Sequence, residues 1–339
     1  MKLRVNKKHF KAAVYIVGII LTVSLILILI HKWEVNRETE PVSSDASSLY
    51  ADDTRELTYY NGNWYAKRDD IETILILGVD KFASSDDSAS YNNSQQADFL
   101  ILLILDSAAQ HAVALQLNRD TMTEIAMLGV NGEPAGSFQG HLALAHTYGS
   151  GREDSCENTV KAVSNLLFGI EINHYLSFTM DAVALVNDLV GGVQVEVLDD
   201  LTFLDPALRK GETVTLKGEQ ALHYVRTRKG LEDSTNLHRM KRQQQYLAAL
   251  RQQVDACSMD DPEFGAKVVA AVSPYMVSDC TVNQLLDLAE VMNHTQYSEE
   301  LLEIPGEAVV GEEFIEFYPD ETALQELVVS LFYTETKVE

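Results

Sequence analysis

Cysteine, proline and basic residues are all scarce in this chain of 339 residues. Three Cys cannot staple a small secreted scaffold, which needs several disulfides to replace a missing core. Seven Pro and 18 Gly exclude a collagenous or low-complexity chain. The 26 Lys and Arg stand against 51 Asp and Glu, a net charge of −25. That balance argues against nucleic acid as a partner, because phosphate backbones are bound through surplus basic side chains. The sequence also lacks an H-E-x-x-H zinc helix and a G-x-S-x-G nucleophile elbow. Apolar residues are plentiful at 46%, which rules out disorder throughout. At roughly 150 residues per domain, the length suggests one large domain or two smaller ones.

The charge is unevenly spread. Residues 1–11 hold Lys2, Arg4, Lys7, Lys8 and Lys11 and no acid. Residues 12–30 (AAVYIVGIILTVSLILILI) then carry no charge at all. As a helix this stretch would span about 28 Å, close to a hydrocarbon core of about 30 Å. Positive charge before it and an acidic body after it place the N-terminus inside and the body outside. A cleaved signal peptide is the competing reading; its apolar region is usually shorter, and no clear A-x-A site follows here. The expectation is a cytoplasmic basic leader (1–11), a transmembrane helix (12–30) and a Ser- and Asp-rich extracytoplasmic linker (31–70). A main domain (71–254) follows, and an acidic C-terminal extension (255–339), packed on that domain or forming a small separate one, ends the chain. Thiols outside the cytoplasm can oxidise. Cys257 is expected to pair with Cys280, a loop worth about 3 kcal/mol, leaving Cys156 free.

Within the main domain, residues 74–79 (ILILGV) and 99–105 (FLILLIL) read as buried strands. The turn 106–110 leads to a third strand at 111–117, so strands two and three make a hairpin. Helices are expected at 158–168, capped by Ser155 and stopped by Gly169, at 181–190 before Gly191–Gly192, and at 236–254. Strands are expected at 170–178 and 193–197. Residues 218–222 read as a short helix and 223–228 as a strand. In the extension, 283–292 and 321–332 read as helices and 313–317 as a weak strand. Interleaving of this kind indicates an α/β class, a three-layer α/β/α sandwich around a mixed central sheet.

Polar groups converge at two places. Asp98 begins the second strand and Arg119 follows the third, so a hairpin brings them to one sheet edge; Asp80, at the end of the first strand, joins them if that strand pairs beside the second. Such an aspartate pair suits Mg²⁺, which takes hard oxygen ligands and often only one or two carboxylates. Loop-capping aspartates are the plainer reading. The second place holds Arg226 and Arg228, which share one face of the expected strand. Arg239, Arg242 and Gln243 share one helix face. Guanidinium forks match phosphate oxygens; pairing with Glu232 and Asp233 is the alternative.

Taken in order, these stretches resemble the LytR-CpsA-Psr family of cell-envelope enzymes. The matching segments are Ile76–Asp80, Ala97–Asp98, Arg119–Asp120–Thr121, Gly191–Gly192–Val193, Leu216–Arg228 and Asn236–Gln244. Three positions depart from the family pattern. Gln96–Ala97–Asp98–Phe99 stands where Arg-Ser-Asp-Thr is usual, Asn118 where Pro precedes the arginine, and Asn236 where Asp is common. The resemblance implies an α/β/α fold binding a polyprenyl diphosphate lipid, and transfer of a glycopolymer from that carrier to peptidoglycan. Teichoic acids and capsular polysaccharides are typical cargo. It implies Mg²⁺ on Asp80 and Asp98. Arg119, Arg226, Arg228, Arg239 and Gln243, with Arg242 as helper, would grip the diphosphate. Asp98 or Asp120 would take the acceptor's proton, beside Arg119. An apolar groove for the lipid tail could be walled by helices near 159–168 and 182–190. A polyprenyl diphosphate phosphatase and a non-catalytic envelope module binding anionic lipid or glycan are the alternatives.

Overall fold

Apolar residues on both faces of the middle strands require cover on both sides, and the fold supplies it. The computed structural model describes residues 57–82, 95–106, 108–129, 132–228, 236–297, 301–311 and 314–337. The expected leader, membrane helix and most of the expected linker lie outside the described residues. Among the described residues no helix is long and apolar enough to cross a membrane.

The first part of the chain runs β1 (Leu57–Tyr60), β2 (Asn63–Lys67), β3 (Ile71–Val79), β4 (Ala97–Asp106), β5 (His111–Leu117), β6 (Met122–Leu128) and β7 (Pro134–His141). A 3-10 turn (Leu142–Thr147) leads to α1 (Glu153–Leu166), β8 (His174–Thr179), α2 (Asp181–Leu189), β9 (Val193–Glu196) and β10 (Thr213–Leu216). Then come α3 (Glu219–Arg226), α4 (Asn236–Asp260), α5 (Phe264–Val272), β11 (Met276–Ser278) and α6 (Val282–His294). The chain closes with β12 (Gln296–Tyr297), β13 (Leu302–Glu303), β14 (Gly306–Val310), β15 (Ile315–Pro319), α7 (Glu321–Phe332) and β16 (Tyr333–Thr336).

The central sheet is mixed, with strand order β11-β8-β3-β4-β5-β12 and β13 also on β5. β3 is antiparallel to β4 and parallel to β8. One face presents Leu75, Leu77, Leu100, Leu102, Leu115 and Leu117 to α1 and α7. The opposite face presents Ile74, Leu103, Leu105 and Leu176 to α5 and α6. Six successive buried residues, Leu100–Leu105, therefore read as an unbroken apolar run rather than an alternating one. A third cluster joins the β9–β10 hairpin to α2, α3, α4 and α5 around Val193, Val195, Leu216 and Tyr224.

Several expectations need correction. Residues 223–226 are not a strand but the second half of α3. Ala221, Tyr224 and Val225 are buried at helical spacing against the third cluster, and this packing overrides the β-propensity of Tyr-Val. Part of the expected linker is a β-hairpin, β1–β2, turned by Asn61 (φ 46°) and Gly62 (φ 89°). Asn-Gly at positive φ is a strong hairpin signal. The 255–339 stretch supplies β11, β12 and β13 to the central sheet, and β16 pairs with β2. Ser155 lies inside α1 rather than at its cap, whereas Gly169 (φ 84°) does follow the helix as its stop. Cys257 and Cys280 are both free thiols, as is Cys156. The first packs beside the third cluster and the second beside the α5–α6 face, so no bridge joins them.

Candidate active site

The local backbone aims the key side chains. Gly78 pairs with Phe99 and Val79 with Ala97, so Asp98 is the extra residue of a β-bulge. A bulge kinks its strand and re-aims the unpaired side chain. Gly78 is needed there, because a Cβ would come within 2.9 Å of the Phe99 Cβ. Beyond β5, Asn118 builds a tight turn. Its Oδ1 accepts from Asp120 N at 3.0 Å, and its carbonyl accepts from Thr121 Oγ1 at 2.6 Å. Arg119 is thereby held between two fixed neighbours.

The charged tips meet. Arg119 contacts Asp98 through Nη1, and its Nε lies 3.2 Å from Asp120 Oδ1. Arg119 also donates through Nη2 to Gln96 Oε1. Arg226 Nη2 lies 2.7 Å from Asp80 Oδ1, an ion pair nearly half exposed. Arg239 donates to the Asp98 carbonyl at 3.3 Å. Arg228 is close enough to act electrostatically on both Arg119 and Arg239. Asp80, Asp98, Arg119, Asp120, Arg226, Arg228 and Arg239 thus form one cluster in which guanidinium groups outnumber carboxylates. Burial, with Arg119 and Arg228 beside it, pushes the Arg239 pKa down to about 9. Burial also lowers that of Arg119, with Asp120 opposing and Arg228 reinforcing the effect. The charged forms are penalised, and an anion among them would relieve the penalty.

Arg242 and Gln243, both expected to grip a ligand, give their donors to partners inside the protein, and Gln243 also lines an apolar cavity beside the cluster. Arg242 is fully buried and donates to the Tyr224 carbonyl at 2.8 Å, to the Thr227 carbonyl and to Asp199. Gln243 donates to the Val225 carbonyl at 3.1 Å and accepts from Gln116 at 3.1 Å. Both anchor the end of α3 to α4, and so set where Arg226 and Arg228 emerge. With 223–226 helical, those two arginines do not share a strand face. They meet the cluster from the last turn of α3 and from the extended residues after it.

Sequence reasoning overlooked a relay of amides. Asn236 Nδ2 donates to Asn118 Oδ1 at 2.9 Å, and Asn236 Oδ1 accepts from Arg239 Nε at 2.9 Å. Two of the departures from the family pattern therefore touch each other, and both residues are buried. The third, Gln96, holds Arg119. The only signal in the sequence was the departures themselves.

Beside the cluster opens an apolar cavity of about 280 Å³. Its walls include Ile76 and Phe99 from the sheet, Val183 and Val186 from α2, Leu247 from α4 and Val268 from α5. Gly78 and Phe99, two and one residues from Asp80 and Asp98, line it too, so it adjoins the charged tips. α2 is a wall as expected, whereas α1 covers the opposite sheet face.

The carboxylates at the sheet edge are hard oxygen donors of the kind Mg²⁺ takes. Asp98 Oδ1 is buried and, although it faces Arg119, receives no well-directed hydrogen bond. Asp80 adds a second carboxylate within the electrostatic reach of Arg119. One or two carboxylates, with substrate and water oxygens, is the usual protein share of a Mg²⁺ shell.

The chain matches the LytR_cpsA_psr family over residues 35–331. A polyisoprenyl-teichoic acid–peptidoglycan teichoic acid transferase, TagU of Halalkalibacterium halodurans, is 28% identical over 236 residues, 69% of each chain. The fold is similar to that of B. subtilis TagV, with TM-score 0.57 and 24% identity over 78% of this chain and 96% of that one. It is also similar to TagT solved bound to LI-WTA, with TM-score 0.56 and 22% identity over 78% of this chain and 90% of that one.

Proposed function

Starting from a chain that belongs to the LytR_cpsA_psr family, we propose that it is a membrane-anchored, Mg²⁺-dependent phosphotransferase. It moves an anionic glycopolymer from a polyprenyl diphosphate carrier to peptidoglycan. One observation carries the reading: a cluster of guanidinium and carboxylate groups adjoins an apolar cavity. A polyprenyl diphosphate has the complementary form, two phosphates on a long apolar tail. The teichoic acid transferase relative supports the polymer and acceptor classes.

The tail lies in the cavity against Val183, Val186 and Leu247, which excludes water from one side of the diphosphate. Arg119, Arg226, Arg228 and Arg239 bind the phosphate oxygens through paired N–H donors. An acceptor sugar hydroxyl attacks the glycan-bearing phosphorus. A new P–O bond forms, the P–O bond to the polyprenyl phosphate breaks, and that phosphate leaves with the electron pair. The hydroxyl proton passes to Asp98 or Asp120. Mg²⁺ held by Asp80 and Asp98 would neutralise charge developing on the phosphate oxygens. Catalysis is then mostly positioning and charge neutralisation, as phosphoryl transfer requires. Residues 1–11 remain cytoplasmic, 12–30 span the membrane, and the body faces peptidoglycan.

The test incubates the full chain in detergent with lipid-linked glycopolymer, Mg²⁺ and peptidoglycan oligomers. Polymer joined to peptidoglycan is the expected product. Asp80→Ala and Arg226→Ala should each lower the rate by about 10²–10³-fold, the scale of losing one preorganised electrostatic group. Free glycan phosphate alone would make the protein a phosphatase. Binding with no product would make it an envelope-binding module.

A further inference from the structure

At the far end of the sheet from Asp80, a second set of ligand-bearing side chains converges. His174, Asp279 and Cys280 each offer one ligand atom, and these atoms lie within 4.8 Å of one another. His174 is the first residue of β8, while Asp279 and Cys280 directly follow β11. β8 runs parallel to β3, so its first residue sits opposite Ile74 and away from the end that carries Asp80.

The carboxylate of Asp279 presents one oxygen to each neighbour, at separations near those of a tetrahedral cation's ligands. His174 Nδ1 lies 3.2 Å from Asp279 Oδ2, and Cys280 Sγ lies 3.7 Å from Asp279 Oδ1. Zn²⁺ holds nitrogen, oxygen and sulfur at about 2.0–2.3 Å, which puts neighbouring ligand atoms roughly 3.3–3.8 Å apart. The other ring nitrogen of His174 lies 3.8 Å from Glu72 Oε1 on β3. Metal-bound histidines commonly direct their second N–H to a carboxylate, which fixes the tautomer and ring orientation. Asp279 is steadied in turn, because its Oδ1 accepts from Tyr175 N at 3.0 Å.

We propose that His174, Asp279 and Cys280 form a Zn²⁺ site, with Glu72 orienting the histidine. The mixed N, O and S donors favour a borderline-soft divalent ion over Mg²⁺. The ligands come from β8 and from the turn after β11, with the orienting carboxylate on β3. The ion would therefore fasten a three-residue edge strand, β11, to the middle of the sheet. Three protein ligands leave the fourth tetrahedral position to solvent, and the site lies away from the sheet end that carries Asp80.

The full chain, stripped of metal in detergent, is titrated with Co²⁺ as a spectroscopic substitute for Zn²⁺. The expected result is a thiolate-to-cobalt charge-transfer band that saturates at one equivalent bound to the thiolate site and is lost when Zn²⁺ is added. Cys280→Ser should abolish that band and Cys257→Ser should keep it. Glu72→Gln should weaken Zn²⁺ binding by about 10–100-fold. A measurement on the unaltered chain guards against misfolded variants: Zn²⁺ should protect Cys280 from alkylation, read by peptide mapping, and leave Cys257 as reactive as before. Absence of a thiolate band, its persistence in Cys280→Ser, or equal alkylation of Cys280 with and without Zn²⁺ would each overturn the proposal.

Discussion

Replacing Arg242 with Met separates scaffold from ligand contact within the arginine cluster. The wild-type guanidinium is fully buried and gives its donors to two carbonyls and to Asp199. Met fills a similar volume but supplies no donor. Asp199, itself buried, would keep His238 Nδ1 at 3.2 Å but lose its guanidinium partner, and the Tyr224 and Thr227 carbonyls would lose a charged donor. Breaking a buried pair by deleting one partner costs about 3–5 kcal/mol, a large share of a domain stability of about 5–15 kcal/mol. Adding Asp199→Leu removes the orphaned charge and should recover about half of that loss, since apolar replacement of a whole buried pair is often nearly neutral. Urea unfolding gives the stabilities, provided the slopes of the variants agree. Affinity for a short-chain polyprenyl diphosphate gives the ligand contact. The double variant, once refolded, should still bind, weakened about tenfold or about 1.4 kcal/mol as the Tyr224 and Thr227 carbonyls lose their anchor and Arg226 and Arg228 shift. Arg242→Met with unchanged stability and lost binding would refute the assignment and return Arg242 to the ligand shell.

Three further outcomes follow from the geometry. Asn236→Leu removes both links of the amide relay and should raise the KM for the lipid donor more than it lowers kcat, because it loosens Arg239; Asn236→Gln should restore part of the loss, and equal effects of the two would count against the relay. Val186→Trp places a large ring in the apolar cavity, so affinity should fall for long-chain polyprenyl diphosphates and stay unchanged for inorganic diphosphate; a parallel loss of both would place the tail elsewhere. His146 is buried, and burial lowers its pKa from the ordinary 6.5. The unfolded chain then takes up a proton below pH 6.5 that the folded chain resists, so stability falls with acidification by up to about 1.4 kcal/mol per pH unit. His146→Gln should flatten the urea midpoint between pH 7 and 5, and an unchanged slope would exclude this histidine as its source.

Much of the fold was legible because local pattern and burial agree. Residues 321–332 read as a helix from their apolar spacing and form α7 over the same span. The 106–110 turn, where Asp106 accepts from Ala109 N at 2.8 Å, joined β4 to β5 as read. The first half of α3 was read as helix, but its second half was misread because Tyr-Val-Arg-Thr-Arg favours strand locally, while Ala221 and Tyr224 packing on the β9–β10 hairpin decides for helix. The edge strands β11, β12 and β13 were missed because they have only two or three residues. No periodicity can be counted over so short a span.

The site was legible by type but not by direction. Helical spacing does place Arg239, Arg242 and Gln243 on one face of α4, and all three are buried. What spacing cannot tell is which neighbour each side chain meets. Arg239 reaches the Asp98 carbonyl, 141 residues away, whereas Arg242, less than one turn further on, meets Asp199 and the end of α3. One helix face therefore serves two ends, joining the charged cluster at its start and fixing the backbone that carries Arg226 and Arg228 at the next turn. This division explains why the inward face of α4 is polar at its start and apolar further on, where Leu250 and Val254 join the third cluster. It also implies that the arginines cannot be exchanged in role. A donor moved from position 242 into the cluster would strip Asp199, and one moved from 239 to the scaffold would take a nearly fully buried guanidinium from the cluster.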